Sequence, residues 1–411
     1  MNRFVLRCLG EAWTMQGSGP EEVAPIQNPA VAVQEGRILW IGPERELPEA
    51  LGAWPAFSGA GGALVPGLID SHTHLCFGGD RLDEFRLRLQ GLSYQQIAAQ
   101  GGGIRRTVAQ TRVATEEELL LRTRRFLDRM MRFGVTTVEA KTGYGLDLET
   151  ERKQLAIYAA LRQSHPVELH VSFLAHLVPD DYAERRDRYL AYLCQELMPE
   201  LAQTAQVRFV DVFCEEGAFS PEEARLLLMA GRALGWGIKL HADQFRDSGG
   251  ARLAAELGAV SADHLEHTSP EGFRALAEAG VVATFLPGCS FYLRQPYASA
   301  RQALEAGVTI AIATDFNPGS SPTYSLPFVM SLACVEMGLS PEAVWVAVTR
   351  AAAQAIGQAH RIGRLAPGYE ADLVLLDHPS PAYVLYHGGD MPVRAVWKRG
   401  QLLYGQLDPV C

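Results

Sequence analysis

Between about residue 64 and residue 360 one rhythm repeats: a short run rich in β-formers, then a stretch with helical periodicity. The strand candidates, in order, are "ALVPGLIDSHTH", "VTTVEA", "VELHVSFLAH", "VRFVDVFCEE", "GIKLHAD", "AVSADHLEH", "VVATFLPG" and "VTIAIATD". The runs between them carry helix punctuation. "TEEELLLRTRRFLDRMMRFG" opens with Thr115 and Glu118 at capping-box spacing and stops at Gly134. "SPEEARLLLMAGRALG" and "SPEGFRALAEAG" place Pro in the first turn and Gly at the end. Near-continuous apolar strands are buried on both faces, a property of parallel sheets covered by helices. Eight such units predict an α/β fold, a (β/α)8 TIM-like barrel. A doubly wound open sheet is the rival, but no Gly-rich phosphate turn follows the first strand.

The flanks break the rhythm. Residues 1–63 hold short alternating strands such as "VAVQEGRILWIG", and residues 363–411 do the same in "EADLVLLD" and "VRAVWKRGQLLYG". Neither flank is large enough for a core, so both are expected to join in one small β-sandwich beside a barrel spanning 64–362. A formal net charge of −10 argues against nucleic acid or an anionic membrane as partner. No run approaches the roughly 18 apolar residues of a membrane span. "MNRFVLRCLGEAW" is too short and interrupted in its apolar part for a secretory signal. Seven scattered cysteines without a CxxC pair fit a cytoplasmic protein with free thiols.

In barrels of this kind the C-terminal strand ends build the active site. Strand one ends in His72 and His74, strand three in His176, strand five in His241, strand six in His264 and strand eight in Asp315. Side chains two apart on a strand share a face, so His72 and His74 point together, with Asp70 in the same alternation. A hydrolytic metal ion takes three or four N/O ligands and leaves a position for water. His72, His74, His241 and Asp315 can supply them, because strand eight neighbours strand one across the barrel mouth. The plain alternative is a layer of hydrogen-bonded buried polar groups. A fourth histidine would crowd that set, so His264 is read as a donor to the oxygen that becomes negative during attack. Its alternative is a core histidine bonded to backbone. Lys141 raises the question of a carboxylated lysine bridging two metals, but its place after strand two is expected to keep it from strands five and six. Glu215 and Glu216 are read as solvated loop carboxylates rather than ligands of a second metal.

Other loop residues suggest a small anionic substrate. Arg81, in "FGGDR", can pair with a carboxylate in bidentate fashion, or sit in a surface salt bridge. Tyr144 in "KTGYGL" and Tyr94 in "GLSYQQI" offer hydroxyls and flat walls, or simply pack. "DFNPGSSP" brings Asn317, Gly319 and Ser320 beside Asp315, where a turn can present amide donors to an anion; ordinary turn chemistry is the alternative.

"VPGLIDSHTH" resembles the opening signature of the amidohydrolase superfamily, and "GRLAPGYEADLVLLD" its return to the sandwich. Over nearly the whole chain "HTHLCFGGDR", "SYQQIAAQGGGI", "KTGYGL", "AHLVP", "HADQF", "DHLEH" and "TDFNPGSSP" together resemble the imidazolonepropionases within it. Those enzymes of histidine degradation open the ring of 4-imidazolone-5-propanoate to give N-formimidoyl-L-glutamate. The resemblance implies a metal-dependent hydrolase in which His72, His74, His241 and Asp315 bind one zinc or iron ion. It implies that Arg81, Tyr144, His176 and Gln244 contact a small anionic heterocyclic substrate, and Asn317, Gly319 and Ser320 the opened ring. A homodimer is the assembly it suggests. Related deaminases carry Glu where this chain has Gln244, and Gln can donate a hydrogen bond but cannot deliver a proton near neutral pH. Cys76 is a smaller departure, read as packing. Gln244 and Arg81 speak against a deaminase acting on neutral bases, and retention of all four ligand positions speaks against a non-catalytic scaffold.

Overall fold

The computed structural model describes residues 3–93, 96–97, 100–390 and 392–410. Eight strands form the expected barrel: β8 (Leu68–Thr73), β9 (Val135–Lys141), β10 (Glu168–Ala175), β11 (Val207–Cys214), β12 (Gly237–Ala242), β13 (Ser261–His264), β14 (Val282–Phe285) and β15 (Ile310–Ile312). Each pairs in parallel with the next, in sequence order. The seam between last and first closes through a Thr73–Phe316 bridge. There the Asp315 amide donates to the His72 carbonyl at 3.1 Å and the His74 amide to the Phe316 carbonyl at 2.9 Å. Closure therefore lies just where the candidate ligands sit.

Local sequence explains the elements. β9, "VTTVEAK", is buried at every position, as a strand covered on both sides must be. The helix Glu116–Arg132 buries Leu119, Thr123, Leu127 and Met130 at three- and four-residue spacing, one face of a 3.6-residue period. The Thr115–Glu118 capping box forms as expected, and a second forms at Ser220 and Glu223.

Among the described residues, ten further strands make the sandwich. β1 (Arg3–Arg7), β4 (Pro29–Gln34), β5 (Arg37–Pro43) and β6 (Ala56–Ser58) form one sheet in the order β5-β4-β1-β6. The other runs β18-β17-β16-β7-β2-β3, with β2 (Glu11–Trp13), β3 (Pro25–Gln27), β7 (Leu64–Pro66), β16 (Leu373–Leu376), β17 (Val393–Lys398) and β18 (Gln401–Gly405). Phe4, Leu6, Val31 and Val33 of the first sheet pack against Leu373, Leu375, Ala395 and Trp397 of the second, with the Phe4 and Trp397 rings stacked at 6.5 Å. Both chain ends thus share one core. A charged cluster ties this unit to the barrel: Lys398 Nζ is 2.9 Å from Glu168 Oε2, at the start of β10, and 2.7 Å from Asp372 Oδ2.

The run expected as a single first barrel strand is two strands. Leu64–Pro66 pairs with β16 in the sandwich, and Leu68–Thr73 enters the barrel. Gly67 makes the transfer. Its backbone lies so close to Thr136 that any Cβ there would overlap the threonine side chain, while its amide donates to Asp372 at 2.8 Å. Gly67→Ala is therefore expected to destabilise the fold by about 1–3 kcal/mol through overpacking. Chemical denaturation should report it, and an unchanged midpoint would contradict this packing.

Candidate active site

Above the barrel core, the strand ends bring His72, His74, His241, His264 and Asp315 together. Ligand-capable atoms of His72, His241 and His264 lie within 4.8 Å of one another, and so do those of His72, His74 and Asp315. Asp315 Oδ1 is 3.5 Å from His72 Nε2 and 3.3 Å from His74 Nε2. His264 is as close to the cluster as the expected ligands are. His264 and Asp315 hold left-handed backbones, with φ of 79° and 51°, an energetically costly conformation that clusters at functional sites.

Beneath these rings is a layer that the sequence reading missed. Asp263 Oδ2 bonds His72 Nδ1 at 2.7 Å, and Asp211 Oδ1 bonds His241 Nδ1 at 3.1 Å. Each imidazole is therefore gripped from behind, leaving Nε2 of both His72 and His241 buried with no hydrogen-bond partner among the described residues. Buried polar atoms are rarely left unpaired. Imidazoles held by carboxylates, with the free His72 nitrogen close both to Asp315 and to a donor atom of His241, fit a transition-metal ion.

Lys141 corrects the sequence reading. On the last residue of β9 its side chain turns inward, and its long stem spans the barrel interior. Nζ lies 2.6 Å from Asp211, 2.9 Å from Glu139 and 3.7 Å from Asp263 on the sixth barrel strand. Although burial pulls its pKa down, Asp211, Glu139 and Asp263 raise it well above the ordinary lysine value. A locked ammonium offers no free amine for carboxylation. Lys239 Nζ stands 3.6 Å from Asp263. The signal was available: Glu139 and Lys141, Lys239 and His241, and Ser261 and Asp263 show the same two-residue alternation that singled out His72 and His74. Asp70 is also placed differently. It accepts from the Thr314 amide at 3.0 Å and hydroxyl at 2.6 Å, bracing the seam below the cluster, and burial pushes its pKa up to about 7.

Protonation states suit metal ligation. Burial, reinforced by Lys141, holds His72 well below the usual imidazole range, and burial brings His241 down to about 4 against the pull of Asp211. Neutral imidazole is the ligating form. Burial would lift Asp315, but the hydrogen bond from His74 and the nearby His264 keep it below the usual carboxylate value. His264 runs the other way. Burial would lower it, yet Glu266 and the hydrogen bond to Cys289 hold it well above an ordinary histidine.

A narrow cleft open to solvent is lined by His74, Arg81, Tyr144, His176, His241, Gln244, His264, Asp315, Asn317 and Ser320, with Ile104, Phe213 and Phe245 as apolar walls. His176 stacks on His74 at 5.5 Å, and Tyr144 lies 5.3 Å from His176. Arg81 is buried, with Nη1 3.8 Å from Glu84 Oε2, and not in a surface pair. Gly319 is the floor under that guanidinium, which a Cβ there would overlap. Gln244 Nε2 donates to Cys289 Sγ at 3.4 Å. The amides of Gly319 and Ser320 do not face an anion: both donate at 2.8 Å to Asn317 Oδ1, so the turn spends them internally. Ser320 instead turns its hydroxyl to Asp315 Oδ2 at 3.3 Å. Glu215 is buried, accepting from the Phe245 amide at 2.9 Å, and is not a solvated loop acid; Glu216 pairs with Arg246 at the surface. Cys76 is buried in the core, as expected. Tyr94 lies outside the described residues.

The ammonium under the cluster is the component most open to test. Lys141→Met leaves Asp211 and Asp263 less compensated in the interior, a loss expected to cost about 3–5 kcal/mol. Thermal or urea unfolding would show it, and wild-type stability would contradict the charge assignment.

The model of the Amidohydrolase family matches residues 63–403. The imidazolonepropionase of Symbiobacterium thermophilum is 46% identical over 406 residues, covering 96% of this chain and 95% of that protein. The one from Geobacillus kaustophilus is 45% identical over 383 residues, 92% of this chain and 90% of that protein. Among solved structures, a triazine hydrolase variant superposes with a TM-score of 0.79 at 19% identity, covering 100% of this chain and 96% of the other. An adenosine deaminase from Xanthomonas campestris with bound zinc gives 0.70 at 22%, covering 98% and 93%. These two share the fold. With the family match across most of its length and near-half identity to full-length relatives, the chain belongs to the amidohydrolase family, among the imidazolonepropionases.

Proposed function

We propose that this chain hydrolyses the ring C–N bond of 4-imidazolone-5-propanoate, releasing N-formimidoyl-L-glutamate in histidine degradation. The observation that carries the reading is one small cavity with unpartnered imidazole nitrogens and Asp315 on one wall and a buried arginine, Arg81, on another. His72, His74, His241 and Asp315 would hold a single zinc or iron ion, and imidazole with carboxylate suits both metals. When bound, such an ion supplies Lewis-acid polarisation and lowers the pKa of adjacent water to roughly 7.

The chain's own residues do the rest. Arg81 pairs with the propanoate, and Tyr144 and His176 wall the ring, so that the reacting carbonyl is held over the donor cluster. Asp315, kept ionised by its histidine neighbours, accepts the proton of the attacking water and returns it to the leaving ring nitrogen. His264, held by Glu266, donates to the oxygen that becomes negative. Gln244 orients the substrate by a hydrogen bond and carries no proton. Asn317 and Ser320 border the space left for the opened ring, and Gly319 leaves room for the arginine. A deaminase reading lacks a proton-delivering side chain at position 244. Six described cysteines are free, which supports a cytoplasmic enzyme, and we propose a homodimer on the strength of the resemblance. No helix among the described residues is long and apolar enough to cross a membrane.

Arg81→Ala should raise KM by about 10- to 100-fold, the loss of a charge-assisted pair, with a smaller change in kcat. Asp315→Asn should lower kcat by about 100-fold or more, the usual scale for a lost proton acceptor. Loss of the imidazolone ultraviolet absorbance measures both, and a loss of kcat alone in both variants contradicts the assignment.

Chelation should abolish turnover, and zinc or iron should restore it. Protons compete with metal for His241, whose pKa lies near 4, so bound metal should persist as pH falls through 6 and be released only towards pH 4. Metal analysis after gel filtration at stepped pH checks this. Release already complete near 6 would show an ordinary, unheld histidine.

A further inference from the structure

A second donor set lies beside the first. His264 ends β13, Glu266 follows two residues later, and Cys289 sits in the helix Pro287–Leu293 after β14. One ligand-capable atom from each falls within 4.8 Å of the other two. His264 Nδ1 and Glu266 Oε1 are 3.3 Å apart, and both side chains are 3% exposed. Cys289 is 2% exposed. Independently, Glu266 Oε2 is buried with no hydrogen-bond partner among the described residues, so this carboxylate holds an unused acceptor inside the protein. Unused buried carboxylate oxygens are costly unless something binds them.

We propose that His264, Glu266 and Cys289 form a second cation site, selective for a borderline-soft divalent ion such as zinc or cadmium, whose occupation slows the enzyme. Tetrahedral zinc holds N, O and S ligands at about 2.0–2.3 Å, which separates the ligand atoms by roughly 3.3–3.7 Å. The imidazole–carboxylate spacing already meets this, and the sulfur completes the set by a small approach. A thiol among the donors favours such ions over magnesium or calcium, which take oxygen ligands. Gln244, whose amide rests on Cys289 Sγ, lines the catalytic cavity, so the site is reached from there.

Binding stands on these distances and on the unused Glu266 oxygen, and the ion displaces one proton from the His264–Glu266 pair and one from the Cys289 thiol to solvent. Its effect on turnover rests on the proposed role of His264, which belongs both to this set and to the cluster with His72 and His241. Coordination draws the imidazole towards the sulfur, and a displacement near 1 Å at a catalytic donor costs up to about 100-fold in rate.

The test starts from holoenzyme carrying one equivalent of metal. Added zinc should bind as a second equivalent and reduce turnover about tenfold or more. In cobalt-loaded protein, a thiolate-to-cobalt charge-transfer band should appear only with the second equivalent. Cys289→Ser should lose that band and need about tenfold more zinc for half-inhibition, and Glu266→Gln should weaken binding while keeping the band. A single equivalent at saturating zinc with no thiolate band would overturn the site, as would unaltered inhibition in Cys289→Ser. A second equivalent that leaves turnover unchanged would overturn the inhibitory role. Protein that shows the band and two equivalents yet never opens imidazolone propanoate would instead refute the proposed function and leave the second site standing.

Discussion

The arrangement depends on charge buried where water cannot reach. Three carboxylates, Glu139, Asp211 and Asp263, surround two ammonium groups, Lys141 and Lys239, inside the barrel. Neither set could be buried without the other, because an isolated ion in the interior costs several kcal/mol or more. One negative charge is left over in that layer, and Asp315 adds another just above it. That surplus favours a divalent cation at the rim. The same carboxylates fix the rings: Asp263 takes His72 Nδ1 and Asp211 takes His241 Nδ1, so each imidazole presents Nε2 upward, while burial keeps both neutral against the pull of the acids.

The barrel makes this convergence unavoidable once the register is set. His241 aligns with Asp263 across β12 and β13, and Phe213 with His241 across β11 and β12. Residues hundreds of positions apart therefore meet without flexible loops to carry them. Rigid strand ends hold the chemistry, and the loops after them supply the walls and the arginine. Among the described residues, none from the sandwich, built from both flanks, lines the cavity. The sandwich's role is structural: β7 hands the chain directly into β8 through Gly67, and Lys398 clamps the sheet to the start of β10.

Much of this was legible in the order of residues. Eight apolar runs with helix punctuation between them are strong periodic signals, and the histidines stand out because they end those runs. Gly134 and the Thr115 box could be read because capping chemistry is local. The supporting layer was harder to see. The two-residue alternation marks Lys141 and Asp263 as sharing a face with Glu139 and Ser261, but only the closed barrel shows which of these charges, Asp211 included, meet in one interior. Lys141 misled for the same reason, since sequence position says nothing of a stem that reaches across a barrel. The turn at Asn317 was legible as a turn, but the side chain's capture of the Gly319 and Ser320 amides is settled by tertiary geometry. Pro66 and Gly67 marked the split of the first run, though a continuous apolar stretch concealed it.

The central claim is that His72, His74, His241 and Asp315 share a single ion. Anomalous diffraction from crystals of protein loaded with one equivalent of zinc or iron measures this directly. The account predicts one peak, at bonding distance (about 2.0–2.2 Å for nitrogen and oxygen ligands) from those four side chains. A peak centred instead on His264, Glu266 and Cys289 at that stoichiometry, or none between the first strand's histidines and Asp315, would contradict it.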